Sequence, residues 1–379
     1  MQLSLTPDQE FFRDNTSKFL TERATPTEIR RLRDEPDGYD DRYWRQGAEL
    51  GWTSLLVAEE HGGGSISGDG LGDLALVADE FGRHAAPGPL VPTNVVAGAL
   101  SNLGADRHGD LLAGLLNGTS IASWGYLEPR PHQGLDDLAL EIREDGSELV
   151  VRGIKRPVES AGRASHLLIA GRTGRGWTQI LVPTDTEGIS VWPMRTVDLT
   201  RRFAEVAFED VRVPIEAAFG EVGGAAHQIE RQFLQAVVMA NAETVGAMQT
   251  AFAMTLEWAF DRYSFGRPLA SYQELKHRFA DMKTWLEAGH AISDMAAQAV
   301  SAGSPEATEL ASAAKAFLGQ YGTELLQDCV QMHGGIGLTF EHDIHFYLRR
   351  VTLDRTLHGT PSEHRARIAR IVSDHEDAA

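Results

Sequence analysis

The spacing of apolar residues changes period twice along this chain of 379 residues, and that change restricts the fold more than any other feature. Up to about residue 117 the apolar side chains recur at helical intervals. Between residues 121 and 214 they form short alternating runs separated by turns rich in Gly and Asp, which predicts strands. Helical spacing returns from 225 to 371. The pattern predicts an α+β fold with an N-terminal helical domain (1–120), a middle β-domain (121–222) and a C-terminal helical bundle (223–379).

Charge and cysteine content exclude several classes of protein. The 54 acidic and 35 basic residues give a formal net charge of −19, which disfavours binding to nucleic acid and to anionic membranes. The single cysteine, Cys329, cannot form a disulfide framework or a Cys-rich metal site, so we expect no metal and a cytoplasmic location. No apolar run approaches the ~20 residues of a membrane span, and the first residues lack the layout of a signal peptide.

A glycine-rich segment, His61–Gly72, interrupts the N-terminal helices. Its first five residues, His61-Gly-Gly-Gly-Ser65, are a candidate nest, because consecutive backbone amides there can bind a phosphate group. Glycine clusters between helices are also ordinary loops. The sequence leaves both interpretations open.

Three blocks in the C-terminal part carry the strongest chemical signal: Arg262-Tyr-Ser-Phe-Gly266, Gln331-Met-His-Gly-Gly335 and Leu357-His-Gly-Thr360. In this order and spacing they resemble the cofactor half of an acyl-CoA dehydrogenase, and the resemblance extends over essentially the whole chain. It implies the fold of that family, with an N-terminal helical domain, a middle β-domain and a C-terminal four-helix bundle. It also implies FAD as cofactor, an acyl-CoA substrate, and an electron-transfer flavoprotein or similar acceptor.

The resemblance assigns cofactor contacts to individual residues. In the family, the first block and a following glutamine contact the FAD of the neighbouring subunit, and cations and hydroxyl donors suit its pyrophosphate. The second block approaches the dinucleotide with its backbone, and the final Gly-Thr holds the adenosine end. The positions implied here are Arg262, Ser264, Phe265, Gln273, Gln331, Gly334, Gly335 and Thr360. A monomer is not expected, and either a homo-oligomeric dimer of dimers or a complex with a paralogous subunit fits.

The β-domain departs from the family pattern. The segment Trp124–Pro129 keeps the Glu-Pro of the flavin-binding loop but continues with Arg130-Pro-His-Gln instead of a Gly-Ser sequence. A Trp-x-Thr element that normally stacks on the isoalloxazine ring corresponds here to Pro157 and Glu159. Trp124 and Tyr126 are candidates to flank the ring, and core residues are the alternative.

The catalytic base is the second departure. The family glutamate that precedes Gly-Thr is replaced by His358, and the other location used in the family, on the long helix, falls on Ala236. Glu243 follows seven residues later, so it projects from nearly the same helix face, about 10 Å further along. We predict Glu243 as the base. The alternatives are an ordinary surface or Arg-paired Glu243, and His358 as base; we expect a structural role for His333.

The sequence therefore predicts a FAD-dependent acyl-CoA dehydrogenase that forms an α,β-unsaturated thioester. A non-catalytic subunit that completes the site of a paralogous partner, and another flavin reaction on the same fold, stay open. An arginine near the end of the β-domain, Arg201 or Arg202, is a candidate for the substrate phosphate. Divergent bacterial members that act on bulky or steroid-side-chain CoA esters resemble this chain in four departures, at Leu127, Pro157, Glu159 and His358.

Overall fold

The computed structural model describes residues 5–129 and 134–377, which excludes the departure at Arg130–Gln133. Its helices before the sheet are α1 Pro7–Arg23, α2 Pro26–Leu32, α3 Asp41–Glu49, α4 Gly70–His84, α5 Leu90–Leu103 and α6 Ala105–Leu116. The strands are β1 Ala122–Gly125, β2 Glu141–Asp145, β3 Glu148–Glu159, β4 His166–Thr173, β5 Gly176–Pro183, β6 Ile189–Met194 and β7 Phe203–Pro214. The C-terminal part contains α7 Ala226–Asp261, β8 Tyr263–Ser264, β9 Arg267–Pro268, α8 Gln273–Ser301, α9 Ala307–His333, α10 Ile344–Thr356 and α11 Pro361–Asp377. The predicted fold class is confirmed, although α10 was not foreseen as a separate helix.

The glycine-rich segment of the N-terminal domain is held by a side chain of the protein itself. The buried carboxylate of Asp73 accepts hydrogen bonds from the backbone N–H groups of Ile66 at 2.6 Å and Ser67 at 2.9 Å. In the candidate nest itself, the backbone N–H groups of residues 61–64 donate to the carbonyls of Ala58, Glu59 and Ser54. The amides are therefore satisfied from within. The geometry matches the interpretation of this segment as an ordinary loop.

Seven strands form one sheet in the order β1-β4-β2-β3-β7-β6, with β5 paired to β4. The two longest strands, β3 and β7, run antiparallel and pair Glu159 with Phe203 at one end. Pro157 lies near the same end of β3. The sheet thus gathers there the residues that correspond to the flavin-stacking element of the family.

Helix α7 has 36 residues and is buried along most of its length. It crosses α4 where Gly82 faces Gly246, and a Cβ on either glycine would overlap a backbone carbonyl oxygen of the facing helix. The backbone carbonyl of Glu243 is itself the group that faces Gly82, so this close crossing fixes the position of Glu243. No helix within residues 5–129 and 134–377 combines the length and apolar character required to cross a membrane.

A buried ion cluster joins the domains, and Arg201 is its first centre. Its guanidinium group binds both carboxylate oxygens of Glu159, at 2.7 and 2.6 Å, in the two-pronged geometry that arginine favours. Its third nitrogen donates to Glu243 and Asp354, each at 3.1 Å. The β-domain is thereby tied to α7 and α10.

Arg350 is the second centre of the cluster. It donates to the other oxygen of Glu243, and its Nε donates to Asp198 at 2.5 Å. The remaining nitrogen donates to the Ala86 carbonyl at 2.9 Å and to the Thr200 hydroxyl. Since Ala86 follows α4, Arg350 connects all three parts of the chain.

The cluster holds more acids than bases. Among the described residues, Glu159, Glu243, Asp198 and Asp354 face two guanidinium groups and the ammonium of Lys315, which donates to the Asp354 carbonyl. Burial raises the pKa of Asp354, and the neighbouring Glu243 raises it further. Burial also lowers the pKa of Lys315 to about 8. We infer that Asp354 retains the proton that balances the cluster.

Replacing Asp354 with Asn should flatten the pH dependence of stability. Because the pKa of Asp354 is raised, the folded protein binds this proton more tightly than the unfolded chain does. The stabilisation that comes from this bound proton therefore decreases as pH rises from about 4 through the folded-state pKa of Asp354. The decrease is about 1.4 kcal/mol for each tenfold difference in proton affinity between the folded and unfolded states. Asn has the shape of the protonated carboxyl, so thermal unfolding should show a higher Tm for Asp354→Asn at pH 8 and a smaller difference at pH 5.

Asp198→Asn is the matched control with the opposite sign. Burial acts to raise the pKa of Asp198, but Arg350 and the Thr200 amide outweigh it and lower that pKa. Its stabilisation is present above the ordinary carboxyl range and is lost as pH falls. Asp198→Asn should cost about 3–5 kcal/mol at neutral pH because Arg350 loses an ionic partner. A lower Tm for Asp354→Asn than for the wild type at pH 8 would contradict the retained proton.

Candidate cofactor and active site

The residues that the sequence associates with the flavin ring line one pocket together with His358, which stands at the family's base position; the predicted base, Glu243, is not among them. Trp124, Tyr126, Pro157, Glu159 and His358 line a cavity of about 20 Å³. That volume admits about one water molecule. Cofactor sites are usually about 300–1,000 Å³, so this interior does not fit an isoalloxazine ring.

Trp124 and Tyr126 fill the space that they were predicted to flank. Their rings stack on each other at 5.0 Å with an interplanar angle of 7°. The Trp124 indole N–H donates to Gln232 at 3.1 Å, and the Tyr126 ring lies 5.4 Å from Phe233. Both aromatic residues are buried, and the geometry is that of core packing.

His358 closes the same pocket from the C-terminal domain. It is buried with a left-handed backbone φ of +60°, and its ring lies 5.8 Å from Trp124. The His358 carbonyl accepts a hydrogen bond from Nε2 of His364 at 2.9 Å, which anchors the segment to α11. The position of the family base is therefore part of a packed aromatic group.

Glu243 is buried with 5% of its surface exposed, as predicted for a side chain that faces inward. Its two carboxylate oxygens accept hydrogen bonds from Arg201 and Arg350, and Glu243 does not line the 20 Å³ pocket. This arrangement is the Arg-paired alternative of the sequence analysis. A general base needs a lone pair within reach of the substrate, so the catalytic role stays a prediction that requires release from both arginines.

Other predicted polar contacts are also engaged within the chain. Thr360 caps α11, because its hydroxyl accepts from the Glu363 amide at 3.3 Å and its own amide donates to the Glu363 carboxylate at 2.7 Å. Arg202 donates to the backbone carbonyls of Leu32 at 2.7 Å and Glu35 at 3.0 Å. Arg201 belongs to the ion cluster. Neither arginine is presented to a substrate phosphate in this geometry.

The hairpin formed by β8 and β9 is, in contrast, presented outward. Phe265 at its tip is 99% exposed, with φ of +50°, and the following Gly266 has φ of +82°. Two positive φ values match the type I′ turn that joins two-residue hairpins, but Phe is an unusual residue there. Arg262 and Gln273 flank the hairpin and are exposed, and Ser264 is half-buried.

The glycine segment, Gln331–Gly337, presents a second exposed surface. Gln331, Gly334 and Gly335 are exposed, and Gly334 has φ of +65°. Within the described part of the chain, a Cβ added to Gly334 or Gly335 would meet no atom within 4 Å apart from those of its chain neighbours. The positive φ of Gly334 at the end of α9 accounts for a glycine there, whereas packing does not explain Gly335, which leaves room for an external group. We call the hairpin with Arg262 and Gln273, together with the glycine segment, the cofactor face.

The predicted FAD contacts thus divide into two groups. The cofactor face carries an exposed cation, a hydroxyl and an open glycine backbone, which suit a pyrophosphate. Larger grooves, of about 590 and 770 Å³, lie elsewhere, and none of the predicted cofactor residues or Glu243 lines them. Within the described part of the chain, no three His, Cys, Asp or Glu side chains gather as ligands for a metal ion.

Two organising residues escaped the sequence analysis. Asp354 lies on α10 in an ordinary polar stretch, and only the fold brings it to Arg201. Trp258 lies one helical turn before Arg262 and contacts both parts of the cofactor face. Its spacing from Arg262 was the available signal, because residues four apart share a helix face.

Comparisons with known proteins agree with this architecture. Residues 6–118 match the acyl-CoA dehydrogenase N-terminal domain, and residues 224–373 match the acyl-CoA dehydrogenase C-terminal domain. The chain is 29% identical over 364 residues to acyl-CoA dehydrogenase IpdE2 of Mycobacterium tuberculosis, covering 95% of this chain and 96% of that protein.

Solved structures give the same result. A variant of the Tcur3481-Tcur3483 steroid ACAD aligns with a TM-score of 0.88 and 25% identity, over 97% of this chain and 98% of that one. Butyryl-CoA dehydrogenase from Megasphaera elsdenii shares the fold with a TM-score of 0.87 at 22% identity, over 98% of this chain and 100% of that one. The chain therefore belongs to the acyl-CoA dehydrogenase family, whose members are FAD-dependent oxidoreductases.

Proposed function

We propose that this chain serves the FAD-dependent α,β-dehydrogenation of an acyl-CoA thioester as one subunit of a complex, and that its cofactor face completes the flavin site of an unlike partner of the same fold. In this reaction a base removes the α proton while hydride passes from the β carbon to the flavin. The observation that carries the proposal is the contrast between an open cofactor face and an interior pocket of about 20 Å³.

Closure of the interior is supported by charge as well as by packing. Glu159 lines the pocket and binds Arg201 through both carboxylate oxygens. Opening the pocket by moving Glu159 would leave Arg201 with an incomplete set of buried partners, and breaking such a pair costs about 3–5 kcal/mol. We therefore assign the flavin ring and the base to the partner subunit, and no step of the dehydrogenation takes place in the interior of this chain.

The cofactor face supplies what the outer part of a dinucleotide requires. Arg262 offers a planar guanidinium for the pyrophosphate, and Gly334 and Gly335 allow its close approach. These groups are exposed in a chain whose net charge is −19, so an anion is attracted here by local cations rather than by the overall field. An unlike partner explains why the face is kept while the interior is closed.

The substrate and the acceptor are proposed from the relatives. One similar structure is that of a steroid ACAD, and one similar protein is named cyclohexane-1-carbonyl-CoA dehydrogenase, from Syntrophus aciditrophicus. We propose a bulky or cyclic acyl group on CoA, with an electron-transfer flavoprotein or similar protein as acceptor. The name Tcur3481-Tcur3483 joins two designations, which fits a complex of two unlike chains. The cytoplasmic location stays a prediction.

Flavin content should depend on the partner and on Arg262. The chain purified alone should be colourless, whereas the complex isolated from its native host should absorb as a flavoprotein, with one FAD for each pair of unlike chains. Arg262→Ala in that complex should weaken FAD binding by about ten- to a hundredfold, because a hydrogen bond to a charged group is lost. Flavin absorbance after denaturation measures the FAD content, and titration with FAD measures the affinity.

Arg143→Ala is the matched control for that experiment, since Arg143 is an exposed arginine on strand β2. It should leave FAD affinity unchanged. A yellow protein purified alone, with one flavin per chain that an acyl-CoA ester bleaches, would overturn the composite site. Unchanged FAD affinity in the Arg262→Ala complex would show that the cofactor face does not bind the flavin.

A second candidate is a self-sufficient dehydrogenase with Glu243 as the base. One observation favours it: Glu243 is an acid on the buried face of α7, beyond the residue that replaces the alternative family base. This candidate requires a rearrangement that frees Glu243 from Arg201 and Arg350 and enlarges the pocket. The two candidates predict different effects for a neutral residue at position 243.

Glu243→Gln should act on stability rather than on chemistry. The substitution removes one negative charge from two buried guanidinium groups, which should lower the free energy of unfolding by about 3–5 kcal/mol. Stopped-flow reduction of the flavin in the complex by an acyl-CoA ester should keep its rate. A variant complex that binds FAD normally but no longer reduces it would instead identify Glu243 as the base.

A further inference from the structure

The two parts of the cofactor face are far apart in sequence, and each contains a residue with a positive φ, of which only Phe265 is not a glycine. Phe265 at the hairpin tip and Gly334 in the glycine segment both have positive φ values, of +50° and +65°. A non-glycine residue in this region is held at a cost of about 1–2 kcal/mol. A cofactor binds most tightly to groups that are already in place.

Trp258 on α7 lies between the two parts and contacts both. Its indole N–H donates to the carbonyl of Met332 at 3.2 Å, two residues before Gly334. Its ring stacks on His333 at 5.4 Å with an interplanar angle of 22°. On the other side, the guanidinium carbon of Arg262 lies 5.8 Å from the centre of the same ring.

The His333 ring of the glycine segment also lies 4.4 Å from the ring of His342, which precedes α10. Several other contacts are local to one part. Tyr272 donates its hydroxyl to the Ser264 carbonyl at 2.7 Å, and Arg267 stacks on the Tyr272 ring at 3.8 Å, so these residues brace the hairpin alone. His333 donates Nδ1–H to the Cys329 carbonyl at 2.8 Å within α9. Trp258 is the residue that relates the hairpin cation to the glycine backbone.

We propose that Trp258 is a positioning residue that holds Arg262 and the Gly334–Gly335 backbone in the relative placement that FAD binding requires. The proposal rests on the function proposed above and adds a determinant of cofactor affinity that does not itself touch FAD. Three interactions contribute: a hydrogen bond to Met332, an aromatic contact with His333 and a cation–π contact with Arg262.

The test compares Trp258 with Trp285 in the complex. Trp285 is a half-buried tryptophan on α8 that also has an arginine over its ring, Arg278 at 4.8 Å, and an aromatic neighbour, Tyr321 at 5.4 Å. Trp258→Ala should weaken FAD binding more than about tenfold. Trp258→Phe keeps an aromatic ring but loses the indole N–H and part of the ring area, so FAD binding should weaken by about two- to tenfold.

Trp285→Ala should lower Tm as Trp258→Ala does but leave FAD affinity unchanged, and this pair separates positioning from general destabilisation. Equal FAD affinity in the Trp258→Ala and Trp285→Ala complexes would overturn the inference. If Trp258→Ala does not fold, the FAD affinities of the Trp258→Phe and Trp285→Phe complexes are compared instead, and equal affinities would overturn the inference. Arg262→Ala in the same titration is the reference: if it too has no effect, the proposed function fails, whereas an effect of Arg262→Ala alone defeats only the role of Trp258.

Discussion

The buried cluster around Arg201 and Arg350 determines how the rest of this molecule is arranged. Two guanidinium groups cannot be removed from water without close anionic partners, because the desolvation penalty is several kcal/mol per ion. Their partners come from the β-domain, from α7, from α10 and from the segment after α4. Satisfying both arginines therefore closes the three parts of the chain onto one another.

That closure limits the chemistry of the interior. Glu243, the acid that faces inward from α7, is ion-paired with Arg201 and Arg350. Glu159, which corresponds to a flavin contact in the family, is ion-paired with Arg201. Aromatic packing by Trp124, Tyr126 and His358 fills the remaining space. The outer surface keeps its arginine, its exposed phenyl ring and its open glycines. One chain thus combines a closed interior with an open surface to which we assign the cofactor contacts.

Local patterns predicted much of this structure and failed where distant residues meet. The order of the helical and β regions, most of α7, and the burial of Glu243 on the face that includes Ala236 follow from periodicity, whereas α10 does not. The partners of Glu243 do not, because Arg201 and Arg350 lie 42 and 107 residues away in sequence. The same limit applies to the surroundings of Trp124 and Tyr126. Trp124 on β1 and Tyr126 just after it are two residues apart and share a face, but the side chains that pack against them, Gln232, Phe233 and His358, lie more than 100 residues away in sequence.

We propose that this chain binds a flavin with its surface and not with its interior. The most direct measurement is a high-resolution structure of the complex with FAD bound. We predict that the adenosine diphosphate portion of the partner's FAD lies against Arg262 and the Gly334–Gly335 backbone, with the Trp124–Tyr126 stack and the Arg201–Glu243 pair intact. An isoalloxazine ring lying between Trp124 and Pro157 of this chain would contradict that claim.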